Sequence, residues 1–332
     1  MKHHDGPGNL WAIVLAAGRG VRLAAVTKEV HGREIPKQFA KLCGERTFVQ
    51  RTMDRIAPLI PPERTVVVVG DDQVDLARHQ LAGYSGVEIV RQPLNLGTGP
   101  GVLLPLAHVL ARDPEAHVVV FPSDHHFMRD DAFLDAVKRA VAAAAARSGG
   151  VTLVGAEANS AATDLGWIAR GPRRGPRAAR ACRVERFIEK PGEAVARRLL
   201  RDRAVWNTLI IAARAQTLWD VAAEHVPEIV KVFAAYRASL ALPGAQRRLR
   251  EHYAALPQAD FSRDILERAR GLSVVTMTDA GWSDCGTPER LFRVFGDPRA
   301  SDRGLSTPLP ALNGAHHPPR HPPAGSAHIM RR

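Results

Sequence analysis

The chain has 332 residues, 45% of them hydrophobic and 24% charged, which excludes a wholly disordered or fibrous protein and allows two average domains or one long α/β unit. Lys and Arg number 46 against 34 Asp and Glu, and the net charge of +12 suits a polyanionic ligand such as a nucleotide, a sugar phosphate or nucleic acid. Part of that charge is diffuse. Arg170, Arg173, Arg174, Arg177 and Arg180 fall in a Gly/Pro-broken loop, and Arg299, Arg303, Arg320, Arg331 and Arg332 fall near the C-terminus, so both groups read as solvated surface. Cys43, Cys182 and Cys285 are too few and too scattered for a disulfide framework, which points to a reducing compartment. No apolar run approaches the roughly 20 residues that span a bilayer, and the first residues lack an apolar signal core. A cytoplasmic protein with no membrane partner is expected.

Strand-length apolar runs at 11–15, 65–69, 87–90, 117–121 and 151–155 alternate with helical stretches at 48–59, 72–81, 101–111 and 132–147. Runs apolar throughout, rather than alternating, fit strands buried on both faces of a parallel sheet. The order predicts an α/β fold, a Rossmann-like doubly wound and mostly parallel sheet with helical additions toward the C-terminus. Ligands in such sheets bind beyond the carboxyl ends of the strands. The pattern loosens after 155: strands are predicted at 166–170, 183–189, 208–212 and 272–277, and helices at 193–202, 216–224, 228–240, 246–256 and 288–295. The expected division is a flexible start at 1–9, a domain at 10–298 with halves 10–155 and 156–298, and a disordered tail at 299–332 rich in Pro, His, Arg and Gly.

The first strand runs into Leu15-Ala-Ala-Gly-Arg-Gly-Val-Arg-Leu23. Gly18 and Gly20 permit a tight turn and close approach of backbone N–H groups to an anion, and Arg22 adds a cationic fork for phosphate oxygens. The dinucleotide and Walker-type fingerprints are both absent. Lys37, in Ile35-Pro-Lys-Gln-Phe39, stands close enough in sequence to neutralise a second phosphate. The stretch 24–34 between these segments reads equally as a mobile lid or a surface insertion.

Taken together, Leu-Ala-Ala-Gly-x-Gly-x-Arg-Leu and Pro-Lys-Gln resemble the opening signature of the sugar-phosphate nucleotidyltransferases. Later segments bring the resemblance nearest to bacterial mannose-1-phosphate guanylyltransferases: Gln92-Pro-Leu-Asn-Leu-Gly-Thr-Gly-Pro100, Phe121-Pro-Ser-Asp-His125, Phe187-Ile-Glu-Lys-Pro191, Trp206-Asn-Thr208 and Gly281-Trp-Ser-Asp-Cys-Gly-Thr287. It covers roughly residues 10 to 295 in order. Leu209 departs from the pattern, standing where the family usually has Gly, and this puts the identity of the hexose in question.

The resemblance implies transfer of a nucleotidyl group from GTP to mannose 1-phosphate, with Mg²⁺ (or Mn²⁺). It casts Arg22, Lys37 and Lys190 as the catalytic cations. Ala16, Ala17, Gly18, Gly20, Asn95, Gly97 and Thr98 would bind the nucleotide, with Gln92 one candidate for reading the base. Glu189 and Asn207 would bind the sugar, and Asp264 is implied to face it or else to open a helix. Asp124 and Asp284 follow strands and would supply hard oxygen ligands to the metal, while His125 and His126 are given structural roles because no third soft ligand accompanies them. A single activity is expected, without a cupin or hexapeptide-repeat domain, and a homodimer is left open. Two rivals stand beside this reading: a nucleotidyltransferase using another substrate pair, and a non-catalytic homologue that binds a nucleotide sugar. Nucleic-acid binding is disfavoured because aromatics, 5% of the chain, are not interleaved with the basic residues.

Overall fold

The computed structural model describes residues 9–42, 44–146 and 150–297. The expected tail at 299–332, the start at 1–8 and Cys43 lie outside the described residues. Strands β1 (Leu10–Leu15), β2 (Thr65–Gly70), β3 (Glu88–Gln92) and β4 (His117–Pro122) pair in parallel in the order β3-β2-β1-β4. Successive residues of these strands face opposite sides of the sheet, as a two-residue period requires. Trp11, Ile13, Val66, Val68, Val118 and Val120 join one core; Leu10, Ala12, Val14, Val67, Val69, Val119 and Phe121 join the other. This explains why the runs are apolar without alternation.

Helices cover both faces. Among them α2 (Phe48–Ile56), α3 (Val74–Leu81) and α5 (Asp130–Ala145) pack on one side, and α4 (Thr98–Arg112) on the other with α7 (Ala215–His225), α8 (Pro227–Ala238) and α9 (Ala245–Tyr253). Thr47 caps α2 in a capping box with Gln50, satisfying two backbone N–H groups at that end. The stretch expected as a lid or insertion is mostly the helix α1 (Ala24–His31). Its Val26 packs with Leu23, Leu42, Phe48 and Leu291 in a small core of its own, and Thr27 Oγ1 accepts the Ile35 N–H.

The second half corrects the expectation of a mostly parallel sheet. Strands β5 (Thr152–Glu157), β6 (Trp167–Arg173), β7 (Cys182–Ile188), β8 (Val205–Arg214) and β9 (Ser273–Met277) continue the same sheet as β4-β8-β5-β9-β7-β6. Among the described residues four strand pairings are parallel and five antiparallel. The start of β8 also pairs with β6, so β8, β5, β9, β7 and β6 close on themselves. The expected boundary at 155/156 falls inside β5, within one continuous sheet. Two further helices, α6 (Glu193–Arg201) and α10 (Pro288–Phe295), complete the architecture. No helix among the described residues is long and apolar enough to cross a membrane.

Candidate active site

The carboxyl ends of β1 and β4, the start of α4 and the turn in β8 border one cavity of about 450 Å³. Its lining includes Ala17, Gly18, Arg22, Asn95, Gly97, Thr98, Asp124, Glu189, Lys190, Asn207 and Asp284, residues drawn from six separate stretches of sequence. Gly20 and Lys37 line an adjoining recess that shares Arg22, Asp124 and Asp284. Ala16, expected to bind the nucleotide, does not line the cavity: it is fully buried, and its carbonyl accepts the Gln38 side-chain amide.

The glycine loop is held from behind by Gln38 and Ser123, which belong to two of the sequence motifs, and by Gln73, which carries no sequence signal. Gln38 Nε2 donates to the carbonyls of Ala16 and Gly18, each at 2.7 Å, and Gln73 Nε2 reaches Gly18 at 3.3 Å. Ser123 Oγ ties the end of β4 to the Leu15 carbonyl at 2.7 Å. A side chain on Gly18 would meet no atom within 4 Å, so its absence keeps the cavity floor open to a ligand. At Gly97 the need is steric: φ is +97°, and a Cβ there would lie 2.3 Å from the Ala259 carbonyl oxygen. That close packing places the Thr98 hydroxyl under the Phe261 N–H at 2.7 Å and turns Asn95 Oδ1 onto the Gly97 N–H.

Lys37 is buried, with its ammonium 2.9 Å from Asp124 Oδ2 and donating to the backbone carbonyls of Asp284 and Cys285 at 2.6 and 3.2 Å. Desolvation pushes the Asp124 carboxyl up, but the charge and hydrogen bond of Lys37 outweigh it and hold the group below its usual range. Asp284 is bound through both oxygens by Arg290 Nη1, at 3.0 and 2.9 Å. Arg290 also bonds Asp164, and Asp164 Oδ2 lies 3.3 Å from Arg22 Nη1. Neither Arg290 nor Asp164 was expected. They stand 126 residues apart, and only the fold brings them together.

His125 and His126 have partners in the fold. Trp282 Nε1 donates to His125 Nδ1 at 3.1 Å, which leaves Nε2 facing Asp124 Oδ1 at 4.0 Å, beyond hydrogen-bond range. Burial holds both imidazoles below their usual value, that of His126 at about 4. No cluster of three or more His, Cys, Asp or Glu among the described residues is arranged to hold a metal alone. Asp124 and Asp284 nevertheless border the same cavity, and a pair of carboxylates completed by phosphate oxygens and water is the donor set Mg²⁺ favours over an all-protein cage.

At the other end of the cavity Glu189 is 8% exposed, with Lys190 Nζ at 3.4 Å from Oε1. Burial pushes its carboxyl above the usual range, and Lys190 offsets this only in part. Asn207, expected to bind the sugar, borders the cavity but is largely engaged within the fold: Oδ1 accepts the Leu209 N–H at 3.0 Å and Nδ2 reaches Ser262 Oγ at 3.3 Å. Asp264 does not line the cavity. Its carboxylate accepts the Asp260 N–H at 2.7 Å, and Asp260 and Ser262 occupy the wall instead. Leu209, the departure noted in the sequence, has φ +57° at a bulge where β8 carries two residues unmatched on β5. A left-handed backbone is what the usual Gly would supply without strain.

Comparison with known proteins agrees with this arrangement. Residues 11–300 match the family model described as nucleotidyl transferase. The xanthan biosynthesis protein XanB of Xanthomonas campestris pv. campestris is 30% identical over 291 residues, 85% of this chain and 58% of that protein. Mannose-1-phosphate guanylyltransferase 2 of Escherichia coli O157:H7 is 26% identical over 85% of this chain and 59% of its own length. The chain thus spans under two thirds of the length of these relatives. A crystal structure described as a mannose-1-phosphate geranyltransferase from Thermus thermophilus superposes with a TM-score of 0.73 at 32% identity, covering 86% of this chain and 79% of the other. A match that runs from β1 past α10 takes in every stretch that borders the cavity, and by it the chain belongs to the nucleotidyl transferase family.

Proposed function

We propose that this chain joins GTP to mannose 1-phosphate, forming GDP-mannose and releasing pyrophosphate, with Mg²⁺ or Mn²⁺ as the metal. The observation that carries the reading is the single cavity bordered at one end by the glycine loop with Asp124 and Asp284, and at the other by Glu189, Lys190 and Asn207. The choice of substrate pair rests on the names of the relatives and on the sequence motifs.

A sugar 1-phosphate is mostly dianionic at neutral pH, because its second pKa is about 6. One of its oxygens attacks the α-phosphorus of the nucleotide in line, the new P–O bond forms, and the bond to pyrophosphate breaks. No general base is required, so the barrier is the approach of two anions and the charge that develops on the leaving group. The backbone N–H groups of the glycine loop and Arg22 hold the triphosphate. Lys190 neutralises the sugar phosphate, Glu189 accepts hydrogen bonds from sugar hydroxyls, and Lys37 keeps Asp124 charged and oriented. When bound by Asp124, Asp284 and phosphate oxygens, the metal supplies Lewis-acid stabilisation of phosphate charge.

Metal-dependent pyrophosphate release, measured for each common nucleoside triphosphate against a panel of hexose 1-phosphates, tests the reading. Preference for GTP with mannose 1-phosphate is expected. Preference for another pair overturns the specificity, and nucleotide binding without turnover replaces the enzyme by a regulatory homologue.

A further inference from the structure

Arg22, Asp164, Arg290 and Asp284 form a chain of ion pairs beside the cavity, and the separate pair Lys37–Asp124 joins it through the hydrogen bond from Lys37 Nζ to the Asp284 backbone carbonyl. The pairs are unequal. Arg22 and Asp164 are 57% and 37% exposed, and a solvated pair of that kind holds weakly. Arg290 and Asp284 are 21% and 13% exposed, and the guanidinium spans both carboxylate oxygens. Here one nitrogen, Nη1, sits between the two oxygens while Nη2 goes to Asp164, so a cation that takes Asp284 must either displace that Nη1 or bind beside its positive charge. Arg290 already has a second partner in Asp164. It can therefore leave Asp284 without becoming a partly buried, unpaired charge, which would be costly.

We propose that Arg290 is a positioning residue that covers Asp284 in the resting protein, and that Asp164 receives its guanidinium when a divalent cation takes the carboxylate. The inference rests on the reading of Asp284 as a metal ligand and adds to it an order of events. Charge at the site stays balanced before metal binds, and the incoming cation displaces a guanidinium already held by a neighbouring carboxylate. Arg22, bonded to the same Asp164, is freed for phosphate as Arg290 swings onto Asp164.

The test is Mn²⁺ binding to the full chain without nucleotide, followed by electron paramagnetic resonance. Arg290→Gln should bind Mn²⁺ roughly tenfold more tightly than the unaltered protein, because both the cover and a nearby positive charge are gone. Asp164→Asn should bind it severalfold more weakly, because Arg290 then has only Asp284 to hold. Arg290→Lys keeps the charge but loses the planar group that reaches Asp284 with one nitrogen and Asp164 with the other, so an affinity between those of the unaltered protein and Arg290→Gln is expected. Loss of affinity in both Arg290→Gln and Asp164→Asn would reduce the pair to a structural brace and overturn the inference. So would Arg290→Lys matching the unaltered protein while Arg22→Gln tightens as much as Arg290→Gln, since that reports net charge alone. Asp284→Asn separates the two levels. If it leaves Mn²⁺ affinity unchanged, the metal reading itself fails; if it abolishes binding while Arg290→Gln has no effect, only the covering role fails.

Discussion

At the glycine-loop end of the cavity Asp124, Asp164 and Asp284 each have a cation within 3.5 Å, and Asp124 and Asp164 are held below the usual carboxylate range. At the opposite end the Glu189 side chain is less exposed than any of these, has its ammonium neighbour at 3.4 Å, and is pushed the other way. Backbone strain is found at both ends: beside Asp284, Cys285 has φ +44°, and at the far end Lys190 and Leu209 have +49° and +57°, none of them glycine. The proposed phosphate end is thus electrostatically settled before a ligand arrives, whereas at the proposed sugar end the burial of Glu189 is offset only in part. Such costs concentrate where a ligand supplies the missing partner.

The largest effect expected from breaking this contrast is at Asp124. Asp124→Asn keeps an amide oxygen that can accept from Lys37, so the fold should survive, while turnover in the pyrophosphate assay should fall roughly a hundredfold or more. Near-normal metal-dependent turnover would remove Asp124 from the phosphate end. Gly97→Ala comes next. Its Cβ would strike the Ala259 carbonyl from a backbone region few side chains adopt, so a loss of about 2–4 kcal/mol is expected in urea unfolding. Gly18→Ala, with nothing within 4 Å of its Cβ, should leave stability nearly unchanged and weaken nucleotide binding.

Glu189→Gln probes the other end and has the opposite sign. A folded-state carboxyl raised above its unfolded value keeps its proton to higher pH in the folded chain. Stability is therefore lost as pH rises from the ordinary carboxylate range through the folded-state value. Replacing the charge should raise stability near pH 7 by on the order of 1 kcal/mol, remove that pH-dependent loss, and abolish productive sugar binding. A lower melting temperature at pH 7 than the unaltered protein would show that Lys190 compensates Glu189 fully.

How much was legible beforehand follows from the same physics. Val-rich runs buried on both faces announce β1, β2 and β4 directly, and the short motifs at strand ends locate the cavity because ligands gather at that edge of the sheet. The placement of β8 between β4 and β5, and of β9 between β5 and β7, leaves no periodic trace, so an antiparallel second half could not be read from local pattern. Arg290 and Asp164 escaped for a related reason: an ion pair between residues 126 apart has no spacing to recognise. The resemblance points to Asp264, but it is Asp260, a second carboxylate in the same short segment, that borders the cavity. Only the backbone hydrogen bond from Asp260 N–H to Asp264 tells which of them turns inward.

Leu209 is where sequence and structure sharpen each other, and the effect expected there is the smallest. Its departure from the family pattern is visible in the sequence, but its consequence depends on a backbone angle. The left-handed conformation costs a non-glycine residue roughly 1–2 kcal/mol. Leu209→Gly relieves that strain but forfeits a partly buried side chain that packs against the main core and adds chain entropy on unfolding, each worth about 1 kcal/mol. The net change in unfolding free energy should fall within about 1 kcal/mol of zero. Leu209→Ala keeps the strain and loses the packing, so it should be the less stable of the two by up to about 1 kcal/mol, despite the smaller change in sequence. If alanine proves the more stable, the turn in β8 relaxes when Leu209 is shortened and the left-handed angle is imposed by that side chain. If glycine does, the angle belongs to the bulge, and Leu209 is free to shape the cavity wall. In that case Leu209→Gly should shift KM among hexose 1-phosphates while leaving kcat for the best of them nearly unchanged.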